Sequence, residues 1–402
     1  MTKDAGIAPN ALEGLKVIDC ATLFAGPLIA SLFADYGADV LKIEHPRGDA
    51  LRTVGESKDG VGLWWTVASR NKRCITLKLS DPDGAELLKR LVEDADVLIE
   101  NFRPGTLERW GLDPELLREI NPRLVVVRTT GFGQTGPYAS LPGFGTLAES
   151  LSGFAYCNGW PDRPPTLPPF ALGDTVAALV GAFATLAALS WRDRSGEGQI
   201  IDLSIYEALF WALGPQATVY DQLGIVQERS GNASKYVAPR NAYQAKDGRW
   251  LGLSATTQAI AERVMIIVGR EDLIEEPWFA DHTGRVEHVD ELDEIIGAWI
   301  GERTTEEVLE AFAEYEGAIA PMHSIADIVK DPQYLARETI TRVDHPQLGS
   351  LLMQNVVPRL SATPGRIEHP GLELGQHNAQ VYLRELGLDE AELTRLKDAG
   401  VV

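Results

Sequence analysis

A single carboxylate, Asp174, stands in the segment PPFALGDTVAAL (168–179), and no further charged residue follows until Arg192. Prolines precede it, and an alanine-rich stretch that predicts a helix follows it. Because aspartate is a common helix cap, position alone favours a structural role for Asp174. The alternative is a nucleophile, since a helix N-terminus favours an ionised carboxylate and offers N–H groups to developing oxyanions.

Positive side chains in the first half of the chain are the second chemical signal. They fall near predicted strand ends or in loops: Arg47, Arg52, Arg70, Lys72, Arg73, Arg103, Arg109 and Arg128. In an open α/β sheet, ligands bind beyond the carboxyl ends of the strands. Arginine there suits a phosphorylated ligand, so half or more of the set is expected to face it. For each one taken alone, a solvated surface charge is the simpler explanation.

The segment GFGQTG (131–136) matches the G-x-G-x-x-G pattern of dinucleotide sites and follows a predicted strand. Pro137 comes next, and the following residues do not predict a helix. Since the dinucleotide motif needs a helix N-terminus to hold the pyrophosphate, the segment is interpreted as a glycine loop.

Composition limits the possible partners. The 402 residues carry a net charge of −21, which argues against binding nucleic acid or an anionic membrane. The three cysteines, Cys20, Cys74 and Cys157, show no metal or redox spacing, which favours a reducing cytoplasm. No signal peptide is recognised, and the uncharged run 175–191 predicts a buried core helix rather than a membrane span.

Alternating strands and helices must position these residues. Apolar strands are predicted at 15–21, 38–46, 73–80, 96–102 and 123–133, with helices at 26–38, 81–95 and 113–121. Such uniformly apolar strands are typical of a parallel sheet covered on both faces. The predicted fold class is therefore α/β, with a Rossmann-like doubly wound parallel sheet.

The pattern changes after a further strand and helix at 198–214. A hairpin with its turn at Asp247-Gly248 is predicted within 241–256, and helices at 257–269, 290–302 and 305–317. This stretch predicts a smaller α+β domain at 225–330. Residues 1–224 together with 331–402, which end in a predicted helix pair, form the predicted large domain.

Several segments together resemble the class III CoA-transferases, the CaiB/BaiF family that includes formyl-CoA transferase. They are, in order, LEGLKVIDCATLFAGP, GADVLKIEHPRGD, RNKRCITLKL, ADVLIENFRPGTLERWGL, LGDTVAAL, GEGQIIDLSIYEAL and GQHNAQVYLRELGL. The resemblance implies an enzyme that moves CoA from an acyl-CoA to a free carboxylic acid. It also implies a homodimer of two interlocked ring-shaped chains, with a large CoA-binding domain and a small domain.

The resemblance also implies site residues. Asp174 matches the family's nucleophilic aspartate, which forms an aspartyl anhydride and then an aspartyl-CoA thioester. The implied CoA-binding positions are Leu23, Phe24, Ala25, Arg47, Lys72, Asn101, Phe102, Arg109 and Thr130. His45 stands where formyl-CoA transferase has an arginine, so Arg47 or Arg52 is expected to supply that charge. No metal and no tightly bound cofactor are expected, with the CoA thioester acting as substrate.

Departures from formyl-CoA transferase bear on the substrate. No glycine run occurs between 225 and 260, and Phe132 replaces an expected tyrosine. These differences favour a dicarboxylic, branched or aromatic acid over oxalate. One alternative is an enzyme resembling α-methylacyl-CoA racemase, although Gly143, Phe144 and Gly145 stand where its histidine segment would lie. A non-catalytic acyl-CoA-binding protein is the other.

Overall fold

The computed structural model describes residues 9–402, which form two compact units. The first unit comprises the described residues up to Phe154 together with Pro168–Gly214 and Pro332–Val402. The second comprises Ala155–Leu167 and Pro215–Asp331. The segment 155–167 groups with the second unit, although no change in composition marked it in the sequence.

The strands are numbered in chain order. They are β1 (Lys16–Asp19), β2 (Asp39–Glu44), β3 (Ser57–Lys58), β4 (Val61–Gly62), β5 (Lys72–Thr76), β6 (Val97–Glu100), β7 (Val125–Thr130), β8 (Ile200–Ser204), β9 (Arg240–Gln244), β10 (Trp250–Ser254), β11 (Ile319–Pro321), β12 (Ile340–His345) and β13 (Gly349–Gln354). The strands of the large sheet lie within the predicted apolar runs or within a residue of them, and they are shorter than those runs.

The α-helices are numbered in the same way. They are α1 (Ala25–Asp35), α2 (Leu63–Ala68), α3 (Pro82–Val92), α4 (Thr106–Arg109), α5 (Pro114–Ile120), α6 (Gly145–Leu151), α7 (Phe154–Cys157), α8 (Leu172–Ser195), α9 (Ile205–Ala212), α10 (Gln216–Leu223), α11 (Gln258–Ile267), α12 (His282–Glu287), α13 (Val289–Gly301), α14 (Thr305–Glu314), α15 (Ile325–Ile328), α16 (Pro332–Ala336) and α17 (Glu390–Asp398). Short 3-10 helices occupy Ala50–Thr53, Glu271–Glu275 and Pro277–Ala280, and Gln380–Glu385 forms a π-helix.

The first unit is built on a six-stranded parallel sheet in the order β5-β2-β1-β6-β7-β8. In terms of the sheet's own strands this is the order 3-2-1-4-5-6 of the doubly wound nucleotide-binding fold. The chain reverses its direction of winding between β1 and β6. The predicted parallel α/β sheet is confirmed.

Apolar side chains cover both faces of this sheet. One face carries Ile18, Leu41, Leu98 and Val126, packed with α3, α5 and the C-terminal segment. The opposite face carries Val17, Val40, Val97 and Val125, packed with α1 and α8. Because successive side chains of a strand point to opposite faces, uniformly apolar strands serve both layers at once.

Helix α8 is 24 residues long and begins at Leu172, three residues before the uncharged run. Ala178 and Leu189 pack into the sheet core, while Leu179 and Phe183 are exposed. By length and composition α8 could cross a membrane, and 39% of its most apolar window is buried inside the protein. The expectation of a buried core helix therefore holds for one face of α8 and is wrong for the other.

The second unit contains an antiparallel sheet in the order β11-β10-β9. The predicted hairpin is present, with Leu251 paired to Tyr243 and a left-handed Gly248 in the turn. Helices α11, α13 and α14 contribute the apolar side chains that pack with these strands. The unit therefore has a core of its own.

Candidate active site

A cavity of about 560 Å³ lies in the first unit, at the carboxyl ends of β1, β6 and β7. Its walls come from the loops after these strands, the first turns of α6 and α8, and residues 168–171. The winding of the sheet reverses between β1 and β6, which is where open α/β sheets bind ligands. The backbone topology therefore places a binding site here.

Asp174 lines this cavity as the third residue of α8. Ala171 occupies the N-cap position, and no side chain at that position caps the helix, so the capping interpretation of Asp174 is wrong. The Asp174 carboxylate lies directly against the start of α6. A Cβ atom on Gly145 would stand 2.1 Å from Asp174 Oδ2, so only glycine leaves room for the carboxylate in this position.

The surroundings raise the pKa of Asp174 to about 6, chiefly through burial and then through the negative charge of Glu149. The backbone N–H groups of Asp174 and Ala25 act in the opposite direction. The N–H groups at the start of α8 were expected to keep Asp174 ionised by lowering its pKa, but burial and Glu149 raise the pKa by more. The carboxylate is still mostly ionised at pH 7 and becomes protonated below pH 6.

Glu149, in α6, is the main site residue that sequence reasoning missed. Its side chain is buried, at 2% exposure, and lines the cavity. Glu149 Oε1 accepts a hydrogen bond of 3.0 Å from the N–H of Gly173, at the unpaired start of α8. A signal was available, because Glu149 is the only charged residue between Arg128 and Asp162.

The loop after β1 brings Leu23, Phe24 and Ala25 into the cavity lining, and their assignment to CoA binding stays a prediction. The Asn101 amide holds this loop, donating to the Thr22 carbonyl at 2.7 Å and accepting from the Thr22 N–H at 2.8 Å. Both ends of the Asn101 side chain are therefore used within the protein. Its contribution here is to fix the loop.

Aromatic side chains form much of the remaining wall. Phe24 packs edge-on against Trp64 with ring centroids 5.1 Å apart, and Phe132 lies 6.0 Å from Tyr138. Phe102 also lines the cavity and packs edge-on against Trp110. A binding space bounded in this way is well suited to the apolar parts of a ligand.

The glycine loop closes a further side of the cavity. Thr130 lines the cavity, and its Oγ1 accepts the Gly133 N–H at 2.9 Å. A Cβ on Gly131 would stand 2.5 Å from the Cα of Gly143, so these glycines let two loop segments touch. The next helix, α6, begins only at Gly145. The interpretation as a glycine loop is confirmed.

Three of the predicted CoA-binding residues lie outside the cavity lining. Lys72 is fully buried, with Nζ 2.9 Å from Asp19 Oδ2 and 2.6 Å from the Pro27 carbonyl, so direct ligand contact is incompatible with its position. Arg47 is exposed on the loop after β2, where its N–H contacts His45 Nδ1. Arg109 is exposed and donates to Thr106 Oγ1.

Most of the basic set is engaged in ion pairs instead of facing a ligand. The pairs are Arg52–Glu44, Arg70–Asp35, Arg73–Asp39, Lys72–Asp19 and Arg128–Glu100. Of the eight basic residues, Arg103 alone is in the cavity lining that residues 9–402 provide. The expectation that half of them face one site is wrong, because five of the eight pair with acids of the sheet or of α1.

Residues 12–378 match the family described as CoA-transferase family III. The chain belongs to CoA-transferase family III. It is therefore an enzyme, and its family transfers CoA carried as a thioester.

Two relatives come from Chloroflexus aurantiacus. The chain is 41% identical over 396 residues to a succinyl-CoA–D-citramalate CoA-transferase, with 98% of each chain covered. It is 40% identical to the beta subunit of a succinyl-CoA–L-malate CoA-transferase, covering 97% of this chain and 98% of the relative. A crystal structure of a CaiB/BaiF family protein from Brucella suis superposes with a TM-score of 0.81 at 31% identity, covering 96% and 100% of the chains.

The racemase alternative lacks its base in this site. Among the described residues that line the cavity there is no histidine, and Gly143, Phe144 and Gly145 form part of its wall. Racemisation at an α-carbon needs acid–base groups on two faces. The part of the chain that the structure describes also holds no cluster of three metal-ligating side chains.

Proposed function

We propose that this CoA-transferase moves CoA from an acyl-CoA to a free carboxylic acid, with Asp174 as the nucleophile. The observation that carries the proposal is the position of Asp174. Its carboxylate stands at the start of α8, inside the cavity at the winding reversal of the sheet. A thioester carbonyl brought into this cavity meets a carboxylate that is mostly ionised at neutral pH.

The first half-reaction releases the donor acid. The Asp174 carboxylate attacks the thioester carbonyl, and the C–S bond breaks to give a mixed anhydride and CoA thiolate. The thiolate then attacks the aspartyl carbonyl of that anhydride. The donor acid leaves as its carboxylate, and Asp174 carries CoA as a thioester.

The second half-reaction runs the same steps in reverse. The acceptor carboxylate attacks the aspartyl thioester, which gives a new mixed anhydride and thiolate. The thiolate attacks the acceptor's acyl carbonyl, the new acyl-CoA departs, and the Asp174 carboxylate is restored. No net proton transfer is needed, which agrees with a site built from carboxylates, threonines and backbone amides.

Backbone N–H groups offer a way to stabilise the oxyanions of these steps. The Asp174 carboxylate already interacts with the N–H of Ala25, in the first turn of α1. Preorganised amides in a largely dry site stabilise developing negative charge strongly. Because an anhydride hydrolyses readily, the aromatic wall around Phe24 and Phe132 would protect the intermediate by limiting access of water.

For substrates, we propose succinyl-CoA or a similar dicarboxylic acyl-CoA as donor and a short dicarboxylic acid as acceptor. The relatives named above act on succinyl-CoA with citramalate or malate. Arg103, on the loop after β6, supplies a cation in the cavity lining, and a guanidinium pairs well with a second carboxylate. Branched monocarboxylic and aromatic acids lack the second carboxylate that would pair with Arg103.

Asp174→Ala and Asp174→Asn test the nucleophile. Both variants should lose CoA transfer between succinyl-CoA and a panel of dicarboxylic acids while keeping the wild-type far-UV circular dichroism spectrum. Wild-type enzyme incubated with acyl-CoA and hydroxylamine should carry a hydroxamate on Asp174, located by mass spectrometry of peptides. Retained turnover in Asp174→Ala would refute the proposal, and an unmodified wild-type protein would favour a non-catalytic acyl-CoA binder.

We further propose a homodimer in the cytoplasm. Helices α8 and α9 present large exposed apolar side chains, which are Leu179, Phe183, Leu186, Phe210 and Trp211. The first three recur at helical spacing on one face of α8, and contiguous apolar surface of this kind marks an interaction site. A second copy of the chain is the occupant that the family resemblance implies. The three cysteines form no disulfide, which agrees with a reducing compartment.

Light scattering after size exclusion tests the dimer. The expected mass is twice that of the 43.9 kDa chain at micromolar concentration. Phe183→Glu, which places a charge on the apolar face, should weaken the assembly. A wild-type protein that stays a single chain throughout the concentration series would contradict the proposal.

A further inference from the structure

Two isolated carboxylates meet in the cavity of the first unit. Asp174 is the only charged residue between Arg163 and Arg192, and Glu149 is the only one between Arg128 and Asp162. The fold brings them together because α6 and α8 begin side by side. A Cβ on Gly173 would lie 3.2 Å from the Gly145 carbonyl and 3.4 Å from Glu149 Cγ, so the two first turns are in close contact.

Glu149 holds the backbone next to the nucleophile. Its Oε1 accepts the N–H of Gly173, the residue immediately before Asp174, at 3.0 Å. The Glu149 side chain is almost completely buried, so the contact is sheltered from water. Because Ala171 provides no cap, this carboxylate satisfies a free N–H at the start of α8 from a different helix.

The other elements around Asp174 offer little opposing charge. Helix α1 contributes the backbone N–H of Ala25, and α9 contributes the apolar side chain of Ile205. Residues 168–171 are prolines, Phe170 and Ala171. Arg103, after β6, is the remaining charged side chain in the lining that residues 9–402 provide.

We propose that Glu149 is a positioning residue for CoA transfer, which fixes the first turn of α8 and places a second negative charge beside Asp174 so that this carboxylate becomes a stronger nucleophile. The inference rests on the proposed nucleophilic role of Asp174. When Asp174 attacks a thioester, its charge passes to the carbonyl oxygen and then to the CoA sulfur. The repulsion from Glu149 is therefore relieved as the reaction proceeds, which lowers the barrier.

The raised pKa of Asp174 supports this arrangement. Burial and Glu149 bring the pKa to about 6, so the carboxylate is more basic than an ordinary aspartate yet remains mostly ionised at pH 7 to 8. A larger increase would leave it protonated at neutral pH, and an ordinary pKa would make it a weaker nucleophile. Burial and the charge of Glu149 together thus set the pKa of Asp174 between these two limits.

Glu149→Gln is the decisive variant, because it removes the charge and keeps an oxygen that accepts the Gly173 N–H. In the pH profile of kcat/KM for acyl-CoA, the acidic limb should move to lower pH by about one unit. The kcat at pH 8 should fall about 3- to 10-fold with KM nearly unchanged. The substrate carboxylates are the same in assays of wild type and Glu149→Gln. A difference between the two pH profiles therefore reflects a group of the enzyme.

Two further variants serve as controls. Glu149→Asp keeps the charge but shortens the side chain, so its acidic limb should stay near the wild-type position even if turnover falls. Glu86→Gln removes one exposed carboxylate from α3 and should change neither kcat nor the profile. If Glu149→Gln fails to fold, Glu149→Asp still tests the positioning role, because a carboxylate one methylene shorter no longer meets the Gly173 N–H in the same place. Its kcat should then fall while the acidic limb stays near the wild-type position, and a wild-type kcat would overturn the inference.

The outcomes separate this inference from the proposed function. An unchanged profile in a folded Glu149→Gln enzyme, with Asp174→Ala inactive, overturns the role of Glu149 alone. Activity in Asp174→Ala overturns both. A shifted acidic limb with a reduced kcat in Glu149→Gln, together with a normal limb in Glu149→Asp, supports the inference.

Discussion

Two groups of charged residues in the first unit are built in opposite ways. Beneath the loop after β1, Lys42 and Lys72 face Asp19 and Asp49, so that positive and negative charges balance. We call these four residues the lysine cluster. In the cavity, Asp174 and Glu149 form a pair of like charges. One arrangement stabilises the fold, and the other places electrostatic repulsion where chemistry is proposed.

The lysine cluster shows how a fold accommodates buried charge. Lys42 Nζ lies 3.1 Å from Asp49 Oδ2 and 3.7 Å from Asp19 Oδ1, and it also contacts the Ala21 carbonyl. Although burial opposes it, Asp19, Asp49 and Glu44 raise the pKa of Lys42. Asp49 in turn accepts the N–H of Leu23 at 3.2 Å. The cluster thus holds the loop that forms one cavity wall.

Lys42→Met should have the largest effect on stability, because it leaves Asp19 and Asp49 with a buried, unbalanced charge. Removing one partner of a buried ion pair costs about 3–5 kcal/mol. The free energy of unfolding, measured with urea, should fall by that amount. Lys16→Met, which breaks an exposed pair with Asp94, should cost less than about 1 kcal/mol. Equal losses in the two variants would show that the lysine cluster is not a special stabilising element.

Gly145→Ala should have the largest effect on activity among substitutions that leave both carboxylates in place. The new Cβ would overlap Asp174 Oδ2 and force the carboxylate to move. A displacement of about 1 Å from the reactive geometry lowers turnover by about 100-fold. Steady-state kcat is the measurement, with the melting temperature as a check on folding.

A matched glycine variant distinguishes crowding from a change in helix propensity. Gly301→Ala, in α13, meets only the Gln244 carbonyl at 3.9 Å, so it should leave kcat and the fold unchanged. A Gly145→Ala enzyme with wild-type kcat would mean that the position of Asp174 against α6 is unimportant for turnover.

The two clusters should also give opposite pH dependence of stability. The pKa of Asp174 is raised in the folded state, so its stabilising contribution is complete below the unfolded pKa of about 4 and is lost as pH rises through 6. Asp174→Asn should therefore match wild type near pH 4 and become more stable by about 1–3 kcal/mol at pH 8.

Asp49→Asn should behave in the reverse sense. Burial opposes the shift, but Lys42 and the N–H groups of Leu51 and Leu23 lower the pKa of Asp49 in the folded state. Its contribution is present above the unfolded pKa and disappears as pH falls through the folded pKa. Thermal melts from about pH 5 down to about pH 2 should show the deficit of Asp49→Asn relative to wild type shrinking as pH falls, because only there does wild-type Asp49 become protonated. If the stability difference from wild type changed with pH in the same direction for Asp174→Asn and Asp49→Asn, the two clusters would not have opposite electrostatics.

The sequence predicted features that have a local pattern and missed those that depend on contacts between distant segments. The β–α alternation predicted the parallel sheet, because apolar strands have a local signature that survives folding. The sequence predicted that a ligand would bind beyond the carboxyl ends of the strands, and the strand order in the structure places the cavity at β1, β6 and β7. The family resemblance assigned Lys72 to CoA, whereas in the fold its ammonium group pairs with Asp19, 53 positions away in the sequence. That pairing depends on which strands lie side by side, which the local sequence pattern does not reveal.

Glu149 was missed for a related reason. Its neighbour Asp174 stood out as a lone acid at a helix start, but Glu149 lies in a short helix among serines and leucines. Only the contact between the first turns of α6 and α8, which depends on Gly145 and Gly173, makes it part of the site. Each carboxylate is the only charged residue of a long uncharged stretch, and this pattern could have indicated both as site residues.

Leu23→Gly should have the smallest effect on stability and turnover among these variants. Leu23 connects the two groups of charges, because its N–H contacts Asp49 of the lysine cluster and its side chain lines the cavity. Leu23 has φ of 62°, a left-handed conformation that glycine adopts without strain. Relief of that strain, worth about 1–2 kcal/mol, should roughly offset the lost side-chain contacts and added chain entropy. The free energy of unfolding should therefore change by less than about 1 kcal/mol. Because the leucine side chain lines the cavity, KM for acyl-CoA should rise a few-fold with kcat retained. A large loss of kcat would instead place Leu23 among the groups that act on the transition state.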